Sequence, residues 1–96
     1  MKTLEEITKA LKEMEPELAE KYRVKSLAVF GSYARNTQKE GSDIDILVDF
    51  SGPVGFEFFR AQRFIGEKLG LKADLVTRDA IKPGTEHNII KDLVHV

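Results

Sequence analysis

Apolar residues return at intervals of three and four from Leu4 through Ile7, Leu11, Met14 and Leu18. That is the stripe of an amphipathic helix with one face on a core. Thr3 and Glu6 stand at its head as a T-x-x-E capping box, in which each side chain satisfies the other residue's backbone N–H. Pro16 has no N–H to donate in a helix interior, so the pattern predicts a break near Glu15 and a second short helix to about Tyr22. The run Val24 to Phe30 is apolar and β-branched and is stopped by Gly31-Ser32, which predicts a strand. Ser32 to about Asn36 reads as a helical turn, Thr37 to Ser42 as a polar loop, and Ile44 to Phe50 as a second strand ended by Ser51-Gly52-Pro53.

Helical spacing returns from Phe56 to Leu69, with Phe58, Ala61, Ile65 and Leu69 on one face and Gly70 as the C-cap. Phe56, Phe59 and Phe64 fall elsewhere on the wheel, either packed beneath other elements or forming a partner-binding surface. Ala73 to Thr77 predicts a third strand and Glu86 to about Val94 a last helix. Two strands with a short connection pair antiparallel, and a third reached through a helix can run parallel to a neighbour. The expected fold is therefore an α/β (α+β) domain, a small mixed sheet with helices packed on one face.

Composition narrows the function. Ninety-six residues, 42% hydrophobic and 32% charged, predict one small soluble domain over 1–96 without a second core. Fifteen Lys and Arg against sixteen Asp and Glu give a net charge of −1, far from the strongly basic balance of a domain that binds nucleic acid through its phosphates. With no cysteine there is no disulfide framework, thiolate metal site or thiol nucleophile. No apolar run reaches the length of a membrane span and no signal-peptide pattern opens the chain, so the expected compartment is the cytoplasm.

The chemistry concentrates in Gly31 to Asp45, GSYARNTQKEGSDID. Strand alternation puts Asp43 and Asp45 on one face and Ile44, Ile46, Val48 and Phe50 on the other. If the flanking strands pair antiparallel, Gly31-Ser32 at the end of the first meets the two carboxylates at the start of the second. Two neighbouring carboxylates repel unless a cation lies between them, and an all-oxygen donor set suits a hard divalent ion, Mg²⁺ or Mn²⁺, that recruits phosphate oxygens. Gly31 lets the backbone approach a phosphate, and Ser32 brings a hydroxyl to a helix start. Asp74, between Ala73 and Leu75, leaves its strand on the face opposite those apolar neighbours and supplies a third carboxylate. Metal-holding carboxylates beside a phosphate cradle are the parts of phosphoryl or nucleotidyl transfer.

Other motifs carry less. His87 and His95 are eight apart with no further ligand beside them, which suits surface or packing roles better than zinc. Asp49 reads as a solvated residue, Arg60 and Arg63 as a solvated helix face, and Gly52-Pro53-Val54-Gly55 as a turn without P-loop spacing.

The stretch resembles the minimal nucleotidyltransferase (MNT) family of the DNA polymerase beta superfamily. The marks are Gly31-Ser32, ten intervening residues, Asp43-Ile44-Asp45, and the later acidic Asp74 on a strand. The flanking text, VKSLAVFGSYAR, SDIDILVDF and LKADLVT, is similar too, and the resemblance runs from the first helix to the closing EHNIIKDLVHV. Asn36 departs from it, since many relatives carry Gly there, but this touches the loop and no ligand.

The resemblance implies a nucleotidyltransferase fold and transfer of a nucleoside monophosphate from an NTP to an acceptor hydroxyl, with pyrophosphate leaving. It implies two Mg²⁺ ions held by Asp43 and Asp45, with Asp74 completing one site and helping to deprotonate the acceptor. Ser32 and the backbone of Gly31 would grip the β- and γ-phosphates, and Arg35 would be a further phosphate contact or a surface ion pair. Many small MNT proteins are antitoxins of HEPN-domain RNase toxins and add AMP from ATP to a toxin tyrosine. The expected partner is such a toxin; the alternatives are an MNT scaffold that neutralises its partner by contact alone, through the off-face Phe residues, and a stand-alone enzyme for a small hydroxyl or nucleotide substrate.

Overall fold

The computed structural model describes residues 2–96. Helix α1 spans Leu4–Tyr22 and is capped as expected: Thr3 N–H donates to Glu6 Oε1 at 3.0 Å and Glu6 N–H to Thr3 Oγ1 at 3.2 Å. Its apolar stripe, Ile7, Leu11, Met14 and Leu18, is buried. The expected break at Pro16 does not occur; α1 is one helix of 19 residues. Pro16 and Lys12, whose carbonyl loses its intrahelical partner, both lie on the exposed face, where the carbonyl is open to solvent and the lost hydrogen bond costs least.

Strand β1 spans Val24–Phe30, helix α2 Ser32–Arg35 and strand β2 Ile44–Phe50; helix α3 is Phe56–Leu69, strand β3 Ala73–Val76 and helix α4 Glu86–Lys91. Gly70 ends α3 with φ 68°, the left-handed C-cap its type favours. Helix α4 stops three residues short of the expected end near Val94. Val94–His95 instead forms a fourth strand, β4, on the free edge of β1. Val94 and Val96 alternate with His95, and pairing with β1, including Val96 N–H to Leu27 O at 3.1 Å, satisfies an edge that would otherwise stay open.

The sheet order is β3-β2-β1-β4, with β1 antiparallel to β2 and β4 and with β2 parallel to β3. Helices α1 and α3 pack on each other and on the face carrying Val29, Ile44, Ile46, Val48 and Leu75. Ala61, Ile65 and Leu69 supply the face of α3 that closes this core. The opposite parity of β2 carries Asp45, Leu47 and Asp49, the alternation expected of a strand with one fully buried face. Among the described residues no helix is long and apolar enough to cross a membrane.

Candidate active site

The register brings the sequence motif together. On β2, Asp45 has Phe30 of β1 as its partner on one side and Asp74 of β3 on the other. Gly31 follows Phe30 directly, so the turn out of β1 comes against the Asp45 side chain. Gly31 has φ 75° and ψ −152°, a conformation that belongs to glycine. A Cβ built there would collide with Asp45 Oδ2. Backbone and carboxylate are thus in direct van der Waals contact, and only the residue without a side chain permits it.

From that turn the chain folds straight into α2, where Arg35 N–H donates to Gly31 O at 3.1 Å. Tyr33 anchors α2 in the core with 1% of its surface exposed. Asn36 caps the helix with φ 62°, the left-handed region, where Asn is among the best-tolerated residues after Gly. The departure from the family pattern therefore preserves the loop. Thr37 N–H to Ser32 O at 2.9 Å closes it further. Just ahead of Asp43, Ser42 clamps the approach to β2, accepting from Lys39 N–H on its Oγ and donating its own N–H to Lys39 O, both at 2.9 Å.

Asp43 and Asp74 are exposed and Asp45 is half-buried. Burial, then the Asp74 charge, then the Asp43 charge push the Asp45 carboxyl above its ordinary value, and the Arg35 charge partly opposes them. Three anions therefore share one end of the sheet with a net repulsion that a cation would relieve. Among the described residues no three such side chains are drawn together as a ready-made metal cage. The donor set, all carboxylate oxygen with open sides, fits a hard divalent ion that takes its remaining ligands from water and phosphate.

Arg35 makes an ion pair, Nη1 to Asp92 Oδ2 at 3.3 Å, the surface pairing foreseen as one of its two roles. Asp49 stays partly open to solvent, as expected, and has partners the sequence does not show: Ser26 Oγ donates to it at 2.9 Å and Arg78 Nε lies 3.4 Å away, which ties β1, β2 and the turn after β3. His87 and His95 are exposed, and Arg63 pairs with Glu67 on the surface of α3. Of the off-face aromatics, Phe64 packs on Tyr22 with ring centroids 5.3 Å apart, whereas Phe56 and Phe59 stand 78% and 64% exposed. Asp92 escaped the sequence reading, since its partner lies 57 positions away; the V-H-V alternation after it was the one local sign of a strand that could bring it here.

Comparison with known proteins agrees with this geometry. A family model described as "Nucleotidyltransferase domain" matches residues 5–96. A Methanocaldococcus jannaschii protein named "Putative protein adenylyltransferase" is 49% identical over the full length of both chains. Protein adenylyltransferase MntA of Thermococcus cleftensis is 40% identical over all of this chain and 98% of its own. Among solved structures, a minimal nucleotidyltransferase superposes with a TM-score of 0.79 at 26% identity, over 99% of this chain and 97% of that one. A chain of the complex between a tri-AMPylated Shewanella oneidensis HEPN toxin and an MNT antitoxin shares the fold, with a TM-score of 0.58 at 18% identity over 96% and 66% of the two chains. Mixed sheet, carboxylate cluster and full-length kinship converge: the chain belongs to the minimal nucleotidyltransferase family, and it is an enzyme close to the protein adenylyltransferases.

Proposed function

We propose that residues 1–96 act as one minimal domain, a cytoplasmic Mg²⁺-dependent protein adenylyltransferase that serves as the antitoxin of a HEPN-type RNase toxin. The reaction joins a toxin tyrosine oxygen to the α-phosphorus of ATP and breaks the bond to the β-phosphate oxygen, so that pyrophosphate leaves and AMP stays on the tyrosine. The observation that carries this reading is the register that sets Asp45 between Asp74 and the Gly31 turn. The full-length similarity to protein adenylyltransferases supports the choice of AMP and of a protein acceptor.

Asp43, Asp45 and Asp74 would hold the metal, two Mg²⁺ ions or Mn²⁺ in their place. When bound, these ions neutralise triphosphate charge and polarise the reacting phosphoryl group. An Asp74 carboxylate oxygen, exposed at the end of β3, accepts the proton of the incoming hydroxyl. The Gly31 backbone and the Ser32 hydroxyl bind the β- and γ-phosphates, and Arg35 adds a charged contact to the same tail.

The test is incubation with ATP labelled in its α-phosphate, Mg²⁺ and the HEPN protein encoded beside this chain. Label on a toxin tyrosine, abolished by Asp43→Asn, is expected. No transfer, or transfer unchanged by that substitution, overturns the proposal. One observation favours a second reading, neutralisation by contact alone: Phe56 and Phe59 offer exposed aromatic surface on α3. That reading requires inhibition of the toxin without ATP.

A further inference from the structure

The ion pair between Arg35 and Asp92 joins parts of the chain 57 positions apart. Arg35 ends α2, the helix that starts at Ser32; Asp92 caps the end of α4, two residues ahead of β4. Strand β4 runs antiparallel to β1 with Val94 opposite Val29. Asp92 stands two residues ahead of that pairing, in the turn that ends α4, with φ −104° and ψ 6°. In the order β3-β2-β1-β4, the Gly31 turn has Asp45 against it from the β2 side, and the helix that starts from it, α2, is tied through Arg35 to Asp92 on the β4 side.

The contact is one-pronged, Nη1 to Oδ2, which leaves other N–H donors of the guanidinium for a second partner. The Arg35 side chain is 51% exposed and that of Asp92 only 23%. The carboxylate is the more buried member, on the C-cap of α4, and the arginine is the member that faces outward. Arg35 N–H donates to Gly31 O at 3.1 Å, and Gly31 lies against Asp45, so the arginine stands one helical turn from the carboxylate cluster.

We propose that Asp92 is a positioning residue: it holds the Arg35 guanidinium at the lip of the Gly31-Ser32 turn, so that its free edge meets the triphosphate of the nucleotide. This rests on the reading of Arg35 as a phosphate contact. It also gives β4 a task beyond closing the sheet edge, because that short strand sets where Asp92 stands. A pair this exposed adds little to fold stability; what it supplies is orientation, since an arginine fixed by one partner loses less freedom on meeting a second.

The experiment compares the native chain, Asp92→Asn, Asp92→Glu, Arg35→Ala and the double variant Arg35→Ala/Asp92→Asn. It measures the Kd for ATP with Mg²⁺ by calorimetry, the Tm, and the KM and kcat of AMP transfer. Asp92→Asn is expected to weaken ATP binding about tenfold, as loss of a charged hydrogen bond does. It should raise KM in step, leave kcat within about twofold, and leave Tm within about two degrees. Asp92→Glu should recover most of the affinity, and in the Arg35→Ala background Asp92→Asn should cost nothing further. Native affinity in Asp92→Asn, an equal loss without Arg35, or an affinity loss that follows a fall in Tm overturns the proposal. Intact ATP binding by a native chain that transfers no AMP to the toxin would sink the antitoxin reading alone, and the Arg35–Asp92 coupling would still be read in the Kd.

Discussion

A methyl group on Gly31 would occupy the space that Oδ2 of Asp45 holds. The turn out of β1 and the central carboxylate of β2 are thus a matched pair. Gly31→Ala faces two costs at once: a backbone with φ 75° that Ala adopts poorly, and a clash that moves the Asp45 carboxylate. Destabilisation of about 1–3 kcal/mol is expected from the strained conformation. Transfer activity should fall about a hundredfold or more, since a carboxylate displaced by an ångström loses its alignment. Urea denaturation and the AMP-transfer rate check the two effects separately. An active Gly31→Ala chain would show that the contact is not needed.

The Asp45 carboxyl lies above its ordinary value of 3.8, raised by burial and by the charges of Asp74 and Asp43. A carboxyl raised on folding favours the folded chain fully below 3.8, and that contribution is lost as pH rises through the raised value. At neutral pH the ionised Asp45 therefore weighs against the fold. Asp45→Asn should melt above the native chain at pH 7 in EDTA, and the gap should close as pH falls below 4, on the order of the ordinary carboxylate value. Added Mg²⁺ should raise the Tm of the native chain but not that of Asp45→Asn. Melting curves from pH 3 to 8, with and without Mg²⁺, check both, on the order of one curve per pH unit. A variant that melts below the native chain at every pH would contradict this account.

Asp43, Asp45 and Asp74 could be grouped from the chain alone because strand alternation assigns each a face and two short strands leave few pairings. Gly31-Ser32 could be joined to them because a strand followed by a Gly turn has one place to end. Asp92 could not be placed, since a strand as short as Val94–His95 carries almost no pattern and its pairing is decided by the free edge of β1. The partners of Asp49 are hidden from the sequence for a related reason. Ser26 and Arg78 arrive from β1 and from the turn after β3, and nothing local announces them.

Phe56 and Phe59 open α3 largely in solvent, whereas Phe58 between them packs on Phe50 with ring centroids 6.1 Å apart. Truncating the exposed pair should therefore cost little, within about 1 kcal/mol, most of it the edge-on contact of Phe59 with Phe58 at 5.3 Å between ring centroids. Truncating Phe58 should cost several times that, on the order of 2–4 kcal/mol for a half-buried aromatic. If the exposed rings contact a protein partner, Phe56→Ala/Phe59→Ala should weaken the complex at least tenfold, as hot-spot aromatics do, with ATP affinity intact. Calorimetry with the HEPN partner and with ATP separates the two. Full affinity for the partner in the double variant would remove α3 from the interface.

Pro16 lies in the middle of α1, where the sequence predicts a break, and the helix runs through it. The buried stripe on both sides, Ile7 and Leu11 before it, Met14 and Leu18 around and after it, holds the helix to the sheet. Tertiary packing outweighs the local penalty because Pro16 points to solvent. The penalty remains, however: the Lys12 carbonyl has no intrahelical donor. Pro16→Ala restores that bond and recovers about 3 kcal/mol of helix propensity. A gain of up to about 3 kcal/mol is expected on this propensity difference, read as a higher urea midpoint with an unchanged slope, and with unchanged AMP transfer because α1 lies on the sheet face opposite Asp45. A lower midpoint would mean that the ring itself packs usefully or that α1 bends at Pro16 to fit the sheet.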